Sequence, residues 1–164
     1  DSQLDRFLLR LRIGYPTPAE ELELLRRRQY GQAMGGVNRV VDREGLERMR
    51  QAVDAVHISD EILSYIISLV NATRRHPQLI QGASPRATMR GNRKTIFAVA
   101  ALAVAAASRA AAFLRGRDYV VPEDVQCIWQ EACAHRLLPA PGAEGTAGDI
   151  AAQVLRGVDS PKIR

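Results

Sequence analysis

The feature that most limits what this chain can fold into is its repeated helix-start punctuation. Thr17 stands before Pro18, Asp42 before a helical pattern, Ser59 before Asp60-Glu61, and Ser84 before Pro85. Each leading residue offers a side-chain oxygen to the unpaired N–H groups of a first helical turn, and proline at the next position has no N–H to lose. Glu20, three residues after Thr17, completes a capping box. Pro122, followed by Glu123 and Asp124, marks a further start with acidic groups at the positive helix end. Stops match the starts: Pro77 closes one pattern and Gly116 another. These signals predict helices over residues 18–28, 42–53, 60–75, 95–115, 122–137 and 150–158. A helix opened by Ser84-Pro85 is interrupted at Gly91-Asn92.

The strongest pattern begins at Ser59. Ile62, Leu63, Ile66, Ile67 and Val70 form an apolar stripe at helical spacing, with Tyr65 roughly across from it. Trp129 shares a helix with Val125 and Ile128 and reads as core. Val56-His57-Ile58 reads as a short extended link. Residues 30–41, with Gly31, Gly35, Gly36 and Asn38, read as a loop, as do residues 139–148. Only residues 4–13 show period two: Phe7, Leu9, Leu11 and Ile13 on one face, Arg10 and Arg12 on the other. That predicts a strand ended by Gly14-Tyr15-Pro16. A lone strand makes no sheet, so its partners are expected outside this sequence. The fold class expected is all-α, a helical bundle preceded by a single strand.

Composition narrows the function classes. Aromatics are 5% of the 164 residues, which favours packed helices over a sheet. The alanine-rich run of residues 95–114 is broken by Ser108 and Arg109, and its clean part, 96–107, is too short to span a bilayer. It reads as a buried helix. No signal-peptide pattern is read at the front, and the mid-pattern opening makes an excised fragment the expectation. Cys127 and Cys133 lie about 240° apart around one helix. A disulfide between them is not expected, and a reduced, cytoplasmic setting is. His135 completes no zinc-type pair with them.

The formal net charge is +5, with Lys94 and Lys162 the only lysines. A basic balance admits anionic partners. No phosphate loop with its lysine is present, and no nucleophile stands beside a paired base. Residue chemistry alone leaves a basic helical domain. Such a domain is either a nucleic-acid-binding module, with Arg90, Arg93, Lys94, Arg109, Arg115 and Arg117 as phosphate contacts, or an interaction scaffold.

Three local patterns go further. They are Leu4-Asp5-Arg6-Phe7 with Gly14-Tyr15-Pro16; Thr73-Arg74-Arg75-His76-Pro77 with Gly82-Ala83-Ser84-Pro85-Arg86-Ala87; and Gly116-Arg117-Asp118-Tyr119-Val120 with Pro122-Glu123-Asp124-Val125 and His135-Arg136. In content and order they closely resemble the C-terminal third of MoxR-type AAA+ ATPases. The Gly-Ala-Ser-Pro-Arg-Ala run is the most specific.

The resemblance implies a division into residues 1–16, the last strand and hinge of an α/β core, and residues 17–164, a helical lid domain. It implies that Arg6 is an arginine finger acting in trans on the neighbouring subunit's nucleotide. A guanidinium suits that role because it is always charged and forks onto phosphate oxygens. Arg86 is implied to be the sensor-2 arginine. A cation at a positive helix start is unfavourable unless an anion such as a nucleotide phosphate lies nearby. Tyr65 is a further implied nucleotide contact, near the adenine ring. ATP and Mg would be bound mainly by the core domain. The implied partners are other subunits of a ring, a hexamer in many relatives, and a von Willebrand factor A-domain protein. The activity implied is chaperone-like remodelling or maturation of other proteins. One departure stands out: residues 87–116 exceed the family pattern by roughly three to four helical turns.

Overall fold

A computed structural model of the chain describes residues 7–29, 38–81 and 93–162. Two compact units are present. One takes the described residues up to Arg10 and from Arg50 onward; the other takes those of Leu11–Met49.

In the smaller unit, α1 (Pro18–Gln29) begins at the predicted capping box. Thr17 N–H donates to Glu20 Oε2 at 2.7 Å, and Glu20 N–H donates back to Thr17 Oγ1 at 3.4 Å. The Thr17 backbone and hydroxyl bonds hold the Glu20 carboxyl below its ordinary pKa range. α2 (Arg43–Asp54) begins in the unit and is capped by Asp42 Oδ1, which accepts from Gly45 N–H at 2.7 Å. α1 buries no residue, and α2 buries only Gly45.

The larger unit holds the core. α3 (Asp60–Arg74) is capped by Ser59, whose hydroxyl accepts from Ile62 N–H. Then come β1 (Leu79–Gln81), α4 (Arg93–Leu114) and α5 (Pro122–Cys133), which tightens into a 3-10 turn over Ala134–Arg136. β2 (Leu138–Pro139) and α6 (Ala147–Gly157) complete the order. β1 and β2 pair antiparallel, Leu79 opposite Pro139. The link at Val56-His57-Ile58 is extended, as its sequence predicts. His57 N–H donates to Asp118 O at 2.8 Å and His57 O accepts from Val120 N–H at 2.9 Å, a parallel bridge.

α3, α4, α5 and α6 bury one shared core, with Trp129 fully enclosed and its Nε1–H donating to Ala151 O at 2.8 Å. α4 explains its alanines: Ala100, Ala103, Val104 and Ala107 recur at helical spacing on its buried face, where small side chains let helices approach closely. Ser108 is buried with them and returns its hydroxyl to Val104 O at 2.8 Å. Leu102 on the opposite side is exposed, so the helix is one-sided rather than buried all round. No helix among the described residues is long and apolar enough to cross a membrane.

Two sequence expectations are corrected. Residues 7–13 form no strand: they have no ladder partner among the described residues, and Arg10 N–H donates instead to Glu131 O at 2.9 Å. Period two alone cannot hold a strand without a neighbour to pair with. On α3 the buried face is Ile62, Tyr65, Ile66, Leu69 and Val70, whereas Leu63 and Ile67 are exposed. The helix carries more apolar residues than one face accommodates. Packing selects the arc that includes Tyr65.

Candidate functional site

Of the three expected site residues, Arg6 and Arg86 lie outside the described residues. The Ser84-Pro85 start and the Gly91-Asn92 break lie outside them as well. Tyr65 is described, and only 4% of its surface is exposed. It packs in the core with Ile62, Ile66 and Leu69 rather than across from them. The expected hinge, Gly14-Tyr15-Pro16, lines an open groove of about 820 Å³ with Ile13 and the first turns of α1. Tyr15 and Ile13 are almost fully exposed there.

Two arginine-centred clusters organise the larger unit. The first surrounds Asp124, fully buried in the opening turn of α5. Arg117 forks onto it, Nη1 to Oδ2 at 2.6 Å and Nη2 to Oδ1 at 2.7 Å. Arg115 Nη1 also donates to Oδ1, and Val121 N–H donates to Oδ2 at 3.0 Å. Burial alone would raise the Asp124 pKa. The Arg117 fork, the Val121 N–H and Arg115 outweigh burial and hold the carboxyl below its usual range. The backbone turn that brings the arginines round is made by Gly116, at φ +72°. Gly116 N–H reaches Phe113 O and Arg117 N–H reaches Ala112 O, the paired bonds of a Schellman helix end. The Gly-Arg-Asp-Tyr-Val run is thus a structural joint. The sequence did not mark Asp124 as the shared acceptor; an aspartate third in a helix, after two arginines, was the available signal. Arg115 and Arg117, two of the six basic residues considered as phosphate contacts, are both directed at Asp124.

The second cluster sits where α5 ends. Arg136 is 6% exposed. Its Nη2 donates to Phe7 O at 2.8 Å, and its Nη1 reaches Leu8 O at 3.4 Å and also Ala132 O. His135 Nε2 lies 3.1 Å from Phe7 O. The turn after α5 therefore grips the two residues that follow Arg6. Sequence reading took His135-Arg136 only as part of a pattern, since no local signal pairs it with residues so distant in the chain.

This four-helix core, closed by the Gly116 joint, is of a known kind: residues 96–154 match the AAA lid domain. The chain is 32% identical over 98% of its length to the YeaC protein of Bacillus subtilis, covering 47% of that protein. It is 31% identical over 84% of its length to the chaperone MoxR1 of Mycobacterium tuberculosis, covering 35% of it. A crystal structure of a candidate ATPase from Cytophaga hutchinsonii superposes with a TM-score of 0.77 and 27% identity, over 98% of this chain and 48% of that one. The chain is homologous to the C-terminal portion of MoxR-type AAA+ proteins. It spans less than half the length of these relatives.

Proposed function

We propose that this chain is the nucleotide-sensing lid of a MoxR-type ring ATPase, with residues 1–16 ending the core and residues 17–164 forming the lid. The observation that carries the reading is the AAA lid match within a likeness that extends over 98% of the chain. ATP and Mg bind mainly to the core domain. In this reading the lid's contribution is arginine chemistry. Arg86, in the first turn of its predicted helix, meets the phosphates of its own subunit's nucleotide. Arg6 meets those of the neighbouring subunit's nucleotide. Both supply positive charge where negative charge develops on the transferring phosphoryl group. Loss of the γ-phosphate releases Arg86 and lets the lid swing at Gly14-Tyr15-Pro16. The assembly is a ring, a hexamer in this reading, working in the cytoplasm. It remodels or matures other proteins, with a von Willebrand factor A-domain protein as a partner class.

The test is steady-state ATP hydrolysis by the full-length protein and its single variants. Arg6→Ala is expected to lower kcat by about 10³-fold or more, the scale of an arginine finger. Arg86→Ala is expected to lower kcat and to abolish the difference in lid protease sensitivity between ATP and ADP. The isolated 164-residue chain is expected to show no turnover. Wild-type rates in both variants, or hydrolysis by the isolated chain, would overturn the reading.

A further inference from the structure

The backbone of residues 7–10 is held by the end of α5 at three points. Phe7 O accepts from Arg136 Nη2 at 2.8 Å, Leu8 O lies 3.4 Å from Arg136 Nη1, and Arg10 N–H donates to Glu131 O at 2.9 Å. Leu9, between them, packs against the core. Arg136 is central because one planar guanidinium serves both sides of the junction. It donates to Ala132 O in the last turn of α5 and to two carbonyls of the incoming segment. A cation suits the negative end of a helix, and burying one costs several kcal/mol unless its donors are satisfied. A fork with five donors can satisfy such a divided set of acceptors; an ammonium on a flexible stem cannot hold them in one plane.

We propose that Arg136 is a positioning residue that ties the segment following Arg6 to the lid, so that the position of the lid sets the position of the finger. This rests on the reading of Arg6 as the finger. The consequence is a relay between subunits. A lid that responds to its own nucleotide moves the backbone next to the arginine offered to the neighbour's nucleotide. Displacing that backbone by about 1 Å is enough to cost a reacting group roughly 10²-fold in rate.

The test uses the full-length ATPase with Arg136→Ala, Arg136→Lys, Arg6→Ala and the double variant Arg6→Ala/Arg136→Ala. Arg136→Ala is expected to lower kcat by roughly 10²-fold while the KM for ATP stays within about threefold, the signature of lost transition-state positioning rather than lost binding. The double variant is expected to be no slower than Arg6→Ala, because a misplaced finger and an absent one fail at the same step. A wild-type kcat for Arg136→Ala beside a slow Arg6→Ala overturns the strut and leaves the finger standing. Multiplying losses in the double variant also overturn the strut. An unchanged rate for Arg6→Ala alone overturns the finger reading, and the strut with it. Should Arg136→Ala fail to fold, Arg136→Lys, which keeps the charge and loses the fork, is judged by the same kcat, KM and double-variant criteria.

Discussion

Single residues in this lid carry unequal loads, and Asp124 is a fully buried carboxylate among charged partners. Its carboxylate has no exposed surface and is shared by Arg117, Arg115 and the Val121 N–H. Asp124→Ala should destabilise the lid by about 3 kcal/mol, the low end for breaking a buried ion pair, because both arginines can turn toward water. Urea midpoints measure this. The pH dependence follows from the lowered pKa. The folded protein binds this proton less readily than the unfolded chain, so the stabilisation is fully present above the unfolded value of about 3.9. It is lost as pH falls through the lower, folded value. Asp124→Asn should therefore flatten the fall in stability below about pH 4. An equally steep fall in the variant would show that other carboxylates govern acid unfolding. The cysteines divide just as sharply. Cys133 is buried, and burial pushes its thiol up to about 12 against the opposing charge of Arg136. Cys127 is exposed. A thiol-specific reagent at pH 8 should modify Cys127 in the native protein and Cys133 only after unfolding. Trp129, fully buried at the centre of the core, should cost about 3–5 kcal/mol as Trp129→Ala.

Among the elements, the joint between α4 and α5 brings Arg115 and Arg117 round to Asp124. Gly116 stands at φ +72° with open space where a Cβ would go, so the cost of substitution there is backbone strain alone. Gly116→Ala should lose about 1–2 kcal/mol of stability and Gly116→Asn less, again read from urea midpoints. This joint was legible in the sequence because it is local: a glycine after a helical run, then a proline six residues on. The caps at Thr17, Asp42 and Ser59 were legible for the same reason. What the sequence did not disclose is non-local. The strand expected over residues 4–13 has the right alternation, but its backbone is met by Glu131 and Arg136, more than a hundred residues away. The β1–β2 pair is too short to leave a period. On α3, Leu63 and Ile67 look as buried as Ile62 and Ile66; only the neighbours decide which arc turns inward, and they chose Tyr65. The same holds for Arg136, whose burial depends on where residues 7 and 8 return.

At the scale of the whole molecule, the chain spans less than half the length of the relatives it matches, and the chemistry proposed for it crosses two boundaries. In the proposed reading Arg86 acts across the boundary between lid and core, and Arg6 across the boundary between subunits. A helical lid with a rigid core suits that work because its parts move together when one helix start is pulled. The same reading makes residues 1–16 and 17–164 the proposed output and sensor of one device, with Gly14-Tyr15-Pro16 as the proposed hinge. The central claim is that the two arginines serve different nucleotides, one in cis and one in trans. The most direct measurement is ATP hydrolysis by rings assembled from a one-to-one mixture of Arg6→Ala and Arg86→Ala full-length subunits. In such rings about a quarter of the sites pair an intact sensor with an intact finger from the next subunit, as head-to-tail assembly requires. Activity well above that of either variant alone is predicted. Mixtures no more active than the average of the two variants would contradict it.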